Sequence, residues 1–164
     1  MVTIRKLRDG EQAFLAEMLY EALFVPEGHD KFPQEIIQDP TLAKYIVNWG
    51  TDALDIALVA EEDGELIGAI WGRRFTRDNA GFGFVDEETP ELSVAVKEAW
   101  RGKGIGTKLV QEIGKAYREV GVKALSLSVD KKNQAYELYK KMGFEIVNMV
   151  ADTETSVVMK KDLD

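Results

Sequence analysis

The sequence predicts an α/β fold in a single domain spanning residues 1–164, built on a mixed, mostly antiparallel sheet of about seven strands flanked by about four helices. Three observations carry this expectation. Apolar residues switch several times between alternation and helical three-and-four spacing, the periods of a half-buried strand and of an amphipathic helix. Asp63-Gly64 lies between two apolar runs, a hairpin signal. Glycines at 102, 104 and 106 join a strand pattern to a helical one, as at the start of a strand-helix-strand crossover. A meander and crossovers in one chain call for a mixed sheet with helices on its faces. At 164 residues the chain fits one domain, since domains run to roughly 100–200 residues.

Val2, Ile4, Arg5 and Leu7 open the chain as a strand over 2–7. Asp9 and Gly10 then introduce a helix with the one-sided stripe Phe14, Leu15, Met18, Leu19, Ala22 and Leu23, ended by Pro26 and Gly28. A second helix follows Asp39 and Pro40, with Leu42, Tyr45, Ile46 and Trp49 at helical intervals and Gly50 closing it. Strands at 56–60 and 66–75 flank the hairpin turn. Asn79, Gly81, Gly83 and Pro90 mark 77–90 as a long loop, a kind of segment that carries function out of proportion to its length. The strand 91–96 precedes the glycines, and Ile105, Leu109, Val110, Ile113, Tyr117 and Val120 return to helical spacing until Gly121. Leu125, Leu127 and Val129 alternate with Ser126, Ser128 and Asp130 in a further strand. A short helix over 133–142, ended by Gly143, and strands at 144–150 and 156–160 complete the order.

Composition narrows the function. With no cysteine there is no disulfide framework, thiolate nucleophile or Cys-ligated zinc, and the composition suits a reducing cytosol, so a cytoplasmic location is expected. His29 is the only histidine, which leaves no His-rich cluster, so no metal is expected. No apolar run approaches the ~20 residues of a membrane span, and the first ten residues lack the apolar core of a signal peptide. The formal charge of −8 repels phosphate backbones, so neither nucleic acid nor an anionic membrane is an expected partner.

One segment opposes that charge. From Lys97 to Lys108 there are four basic residues and one acidic, and within this stretch the three glycines lead into a helix. Glycine permits positive φ and lets backbone N–H groups approach a ligand, while the first helical turn leaves orphan donors with partial positive charge. Together these favour a phosphate; the alternative is a plain glycine-rich connection with solvated lysines. A Walker loop fails, because Gly106 is followed by Thr107 where lysine is required. A Gly-x-Gly-x-x-Gly dinucleotide fingerprint fails too, since the third position is Thr107 counted from Gly102 and Leu109 counted from Gly104. Asp130 stands where a ribose-binding acid would lie, which keeps a dinucleotide-binding oxidoreductase as a runner-up, but only 34 residues follow it, too few to finish a doubly wound sheet.

Arg101-x-x-Gly104-x-Gly106 after the strand Leu92 to Val96 resembles the acyl-CoA pyrophosphate loop of the GNAT superfamily of N-acetyltransferases. Asn133, Ala135, Leu138-Tyr139 and Gly143-Phe144 resemble that superfamily's second signature, in the right order. The two motifs cover 91–144; residues 1–90 match in element pattern only. The resemblance implies a GNAT-like fold and direct transfer of an acetyl group from acetyl-CoA to a primary amine. It implies that the strand before the loop splays from the next, and that Val94, Ala95 and Val96 hydrogen-bond the pantetheine arm through main chain. The N–H groups of Gly102, Lys103, Gly104, Ile105, Gly106 and Thr107 would hold the pyrophosphate, with the Arg101 and Lys103 side chains nearby. Asn133 would bond the cofactor arm, a role compatible with capping the following helix. The resemblance also leaves a homodimer through C-terminal elements open.

Tyr139 falls on the family's usual general acid, aimed at the departing sulfur, and its phenol, with an ordinary pKa of about 10, lies close enough to a thiol's ~8.5 for the task. Tyr136, three residues earlier, suits a packed helix position. Glu91 falls where many members place a carboxylate that takes the acceptor's proton through water; a carboxylate merely exposed at a strand entrance is the alternative, and Asp86, Glu87 or Glu88 can supply the same service. His29, in Pro-Gly-His-Asp context, reads as a turn residue. Trp49, Trp71 and Phe75 read as core, and Phe82 and Phe84 either as core or as walls of an acceptor pocket. Arg77 to Glu91 holds five acids against one base, which favours a small cationic amine as acceptor. A non-catalytic acyl-CoA sensor would keep the loop without needing Tyr139.

Overall fold

The computed structural model describes residues 1–150 and 153–163. Along the chain lie β1 (Thr3–Lys6), α1 (Gln12–Glu21), α2 (Pro40–Ala43), β2 (Ile56–Glu62), β3 (Glu65–Arg73), β4 (Glu91–Val96), α3 (Ile105–Glu119), β5 (Ala124–Asp130), α4 (Ala135–Lys141), β6 (Glu145–Met149) and β7 (Ser156–Asp162), with short 3-10 turns at Gln34–Gln38 and Glu98–Trp100. The seven strands make one sheet in the order β1-β2-β3-β4-β5-β7-β6. Every neighbouring pair is antiparallel except β4 and β5. This is the mixed, mostly antiparallel sheet with four helices that the sequence predicts.

Local chemistry explains the elements. Asp63 and Gly64 have φ of 50° and 81°, the two positive values that a mirror-image two-residue turn requires to match strand twist. Alternation, shifted once where Ile67 is an extra residue on β3 opposite Ala60 and Glu61, then sends β2 and β3 side chains to opposite faces. Leu58, Ile67 and Ile70 pack with Leu109, Ile113 and Tyr117 of α3 on one face. Ala57, Val59, Ala69 and Trp71 pack with Leu15, Met18 and Leu19 of α1 on the other. At Gly72 a Cβ would overlap the Tyr117 phenol, so glycine here lets α3 lie close, and the Tyr117 hydroxyl donates to Leu54 O at 2.8 Å.

The expected second helix is cut short: α2 has four residues, and Tyr45, Ile46 and Trp49 follow it in turns. The cause lies on β3. The Arg73 guanidinium donates to the carbonyls of Lys44 (3.0 Å), Val47 (2.5 Å) and Asn48 (3.1 Å), and Trp71 Nε1–H donates to Tyr45 O at 3.1 Å. Lys44 O and Tyr45 O are the acceptors that a helix running to Trp49 would offer to the N–H groups of Asn48 and Trp49, whereas Val47 O and Asn48 O would be unpaired in its last turn. Arg73 also makes a forked pair with Asp55, at 3.1 and 2.9 Å, and lies over the Trp49 ring at 5.2 Å. The Asp55 side chain is 0% exposed, so its partner's removal would strand a buried charge. Arg73→Ala is therefore expected to cost about 3–5 kcal/mol, the scale of a broken buried ion pair, read as a lower urea midpoint with the slope unchanged.

Candidate active site

β4 and β5 are held together by one register pair, Glu91 with Ser126, reinforced by Ser126 N–H donating to Pro90 O at 3.0 Å. Past that pair no further β4–β5 pairing occurs among the described residues, and the strands diverge, whereas β4's other edge stays paired with β3 from Arg73–Glu91 to Gly68–Val96. Lys97 N–H donates to Ile67 O at 2.8 Å, so odd-numbered residues of β4 turn their main-chain groups to β3 and even-numbered ones to the gap. Val94 and Val96 thus face the gap through their backbone, and Ala95 faces β3. Val96 O is already taken by Arg101 Nε–H at 2.9 Å.

The glycine stretch stands at the open end of this gap. Gly102 and Gly104 have φ of 77° and 83°, and Gly104 in the left-handed region is the N-cap of α3, with no side-chain cap. Gly106 is instead helical, in the first turn, and a Cβ on it meets nothing within 4 Å. The N–H groups of Ile105, Gly106 and Thr107 lie at the positive end of a 15-residue helix without intrahelical acceptors. Arg101 is pinned sideways, to Val96 O and to Glu21 Oε2 at 3.2 Å, and Lys103 Nζ rests over the Trp100 ring at 5.6 Å.

Glu91 is not the exposed strand-entrance carboxylate of the bland alternative, because it is 3% exposed. Its Oε2 accepts from the Tyr45 hydroxyl at 2.5 Å, and that hydroxyl accepts from Phe82 N–H at 2.8 Å. Burial pushes the Glu91 pKa up from its ordinary 4.5 to about 7, against the opposing pull of the Tyr45 hydrogen bond, the nearby Gly83 N–H and the Lys44 charge. Burial and the Glu91 charge push Tyr45 up as well, so its phenol stays protonated. The loop 77–90 lies over this pair. A Cβ at Gly81 would overlap Glu91 Oε1, and one at Gly83 would meet the Leu127 carbonyl carbon at 2.5 Å and Ser128 N at 2.7 Å. Phe84 packs into the α1-side core, whereas Phe82 is 46% exposed.

Two acids of the loop 77–90 spend their carboxylates within it. Asp86 Oδ1 accepts from Glu88 N–H at 2.9 Å and from the Thr89 hydroxyl at 2.8 Å, and Glu87 Oε2 accepts from Arg77 N–H at 2.9 Å. Asp130, the last residue of β5, accepts from Lys132 N–H and the Thr155 hydroxyl, each at 2.8 Å, so both its oxygens are engaged. His29 is exposed, its N–H donating to Pro26 O in a turn.

Ahead of α4, Asn133 Oδ1 accepts from Ala135 N–H at 3.0 Å, one residue before the Gln134 N-cap, which has no side-chain cap of its own. Tyr139 is buried, edge-on to Phe144 at 5.8 Å, and its hydroxyl makes no protein hydrogen bond among the described residues. Burial raises its pKa, which keeps the phenol protonated at neutral pH. Tyr136 is half-buried under the Lys140 ammonium at 4.7 Å. The gap, the glycine loop and Glu91 therefore lie along β4, while α4 packs on β5 with Tyr139 in the α3-side core. Sequence reasoning placed Tyr45 only as a helix-stripe residue and Ser126 only as an outward strand residue; nothing local distinguishes either, since both matter through contacts across 35 or more positions.

The sequence profile described as "Acetyltransferase (GNAT) family" matches residues 15–144. An N-alpha-acetyltransferase from Sulfurisphaera tokodaii is 37% identical over 119 residues, covering 64% of this chain and 68% of the relative. Two solved structures share the fold. One is a PaiA N-acetyltransferase from Thermoplasma acidophilum in complex with coenzyme A, with a TM-score of 0.70, 21% identity and 99% of each chain covered. The other is a ribosomal-protein-alanine N-acetyltransferase from Brucella melitensis, with a TM-score of 0.71 and 23% identity over 98% of this chain and 99% of that one.

The buried carboxylate makes stability depend on pH with a definite sign. Below about 4.5 both folded and unfolded forms hold the proton; between 4.5 and about 7 the folded form holds more protons, so stability falls as pH rises, and above that range the loss is complete. The contribution is of the order of 3 kcal/mol. Glu91→Gln removes it, so urea denaturation is expected to show the variant gaining on wild type between pH 5 and pH 8; a constant difference across that range would mean that Glu91 titrates normally.

Proposed function

The chain belongs to the Acetyltransferase (GNAT) family and is an acetyl-CoA-dependent N-acetyltransferase, and from that premise we propose direct acetyl transfer to a primary amine with Glu91 as base and Tyr139 as acid. The observation that carries this reading is the single β4–β5 pair: it opens a gap whose mouth is the α3 N-terminus and whose vertex is a buried carboxylate with a pKa of about 7.

In this mechanism the pyrophosphate of acetyl-CoA sits on the N–H groups of Gly102 to Thr107, and the pantetheine arm runs along the gap, where Val94 and Val96 offer main-chain groups and Asn133 its remaining amide. Ala95 contributes a small buried side chain. The Val94 N–H polarises the thioester oxygen. Glu91 receives the acceptor's proton, the neutral amine attacks the carbonyl carbon, and the tetrahedral intermediate expels the thiolate, which takes a proton from Tyr139. The attacking nitrogen then loses its second proton to solvent to leave a neutral amide, and a proton from solvent restores the Tyr139 phenol. No acyl-enzyme is needed.

A small cationic amine suits the acidic stretch 77–91, although Asp86 and Glu87 spend their carboxylates on the loop itself. A second acceptor, the α-amino group of a peptide, is favoured by the 37% identical relative, an N-alpha-acetyltransferase, and by proton affinity. An α-ammonium has a pKa near 7.7–8.0 and an alkylammonium near 10.4, so a base at about 7 matches the former far better.

Free-thiol release from acetyl-CoA across a panel of alkylamines, polyamines and peptides tests the function directly. Turnover with a primary amine is expected; binding of acetyl-CoA without thiol release from any acceptor would support a sensor instead. In the same assay Tyr139→Phe is expected to lower kcat by roughly 10–10⁴-fold, the scale of a lost general acid, with acetyl-CoA affinity nearly unchanged.

A further inference from the structure

At 3% exposure, Glu91 cannot itself touch an acceptor amine, and a second buried polar group lies beside it. Ser126 is 0% exposed. Its Oγ makes no protein hydrogen bond among the described residues, nor does Glu91 Oε1, whose neighbour Gly83 N–H lies outside hydrogen-bond geometry, and the two residues are register partners at the vertex of the gap. Partners on adjacent strands send their side chains to the same face. On β5 that face is opposite Leu125, Leu127 and Val129, which pack under α3; on β4 it is the face of Ala95, which packs with the α1 cluster. Two orphan polar atoms thus share one face where the strands begin to part. Neighbouring buried polar groups without protein partners are characteristically joined by an ordered water.

We propose that Ser126 and Glu91 hold one water molecule at the vertex of the β4–β5 gap, and that Ser126 is a positioning residue for proton transfer from the acceptor to Glu91. The proposal rests on the reading of Glu91 as base. The water accepts from the Ser126 hydroxyl and from an N–H of the acceptor ammonium, and donates to Glu91 Oε1. When the proton moves, the N–H bond breaks and its electron pair stays on nitrogen. The water oxygen takes that proton as one of its own passes to Oε1, so water is restored, Glu91 becomes a neutral acid and the amine is free to attack. The proton on Glu91 returns to solvent after the product leaves. Gly81 and Gly83 bring the loop backbone against this spot, which keeps bulk water from substituting for the held molecule.

The test is the pH profile of kcat/KM for the acceptor at saturating acetyl-CoA, in wild type, Ser126→Ala, Ser126→Thr, Glu91→Gln and the double variant Ser126→Ala/Glu91→Gln. Ser126→Ala is expected to lose roughly 5–50-fold near pH 7, part of the range for proton-transfer catalysis, with the loss shrinking at high pH as the acceptor deprotonates unaided. Acetyl-CoA KM and Tm should stay near wild type, Ser126→Thr should recover most of the loss, and the double variant should be no worse than Glu91→Gln alone. A Glu91→Gln profile parallel to wild type would overturn the reading of Glu91, and the relay with it. An impaired, pH-rescued Glu91→Gln beside a wild-type-like Ser126→Ala would overturn the relay alone. So would a pH-independent loss in Ser126→Ala accompanied by a lower Tm, or a double variant that multiplies the two losses.

Discussion

One buried guanidinium sets the geometry of the acceptor end of the site. Arg73 lies at the end of β3, register partner of Glu91 on β4, and spends its donors on Asp55 and on the carbonyls of Lys44, Val47 and Asn48. The planar fork can serve a carboxylate and several carbonyls at once, which an ammonium cannot. By taking those carbonyls it ends α2 and folds residues 44–50 against the sheet, and Trp71 completes the arrangement by bonding Tyr45 O. Tyr45 is then fixed at both ends, by its carbonyl and by its hydroxyl on Glu91. The position of the carboxylate thus depends on an ion pair on the neighbouring strand.

The second constraint is topological. A sheet that is antiparallel everywhere except between β4 and β5 must connect those two by a crossover, here α3, and the crossover helix begins where the strands separate. That single parallel pair is where the hydrogen-bond ladder stops after one register position, leaving polar main chain on the β4 edge. Unpaired strand edges are unfavourable when buried and are satisfied by an added strand or an extended ligand. Placing helix donors at one end of the gap and a carboxylate at the other gives the two ends opposite electrostatic character, in keeping with the basic run 97–108 and the acidic run 77–91.

Much of this was legible in the chain. The hairpin, the seven strands, the glycine stretch with its helix and α4 all follow from local signals: Asp63-Gly64 demands positive φ, alternation shows the strand faces, and Gly104 and Gly143 punctuate helix ends. The second helix is shorter than its pattern because, although Leu42, Tyr45, Ile46 and Trp49 have helical spacing, the distant Arg73 and Trp71 take the carbonyls of Lys44 and Tyr45. Glu91 was legible as a candidate through its place in the pattern, but its burial was not, because that comes from Gly81 and Gly83 drawing the loop down onto β4 and β5. Tyr45 and Ser126 carried no signal of their own. Residue type and spacing report local geometry, whereas partners 35 or 46 positions apart are set by the sheet.

Burial sets the protonation of one proposed catalytic group, Glu91, against the opposing pull of Tyr45, Gly83 and Lys44, while the other, Tyr139, is protonated at neutral pH from its ordinary value and burial only moves it further up. Desolvation opposes the charged form of any acid, so it raises both the carboxyl of Glu91 and the phenol of Tyr139. The starting points differ, 4.5 for the glutamate and 10 for the tyrosine, so the push brings only the carboxyl into the neutral range. Glu91 arrives near 7 and can accept a proton and release it again, while Tyr139 remains wholly protonated and keeps one to give. Neither group needs a dedicated charged neighbour to be tuned. What the fold must supply is a gap closed to bulk solvent with a buried carboxylate at its vertex, and a sheet that parts after a single pair, between a loop and a helix, supplies it.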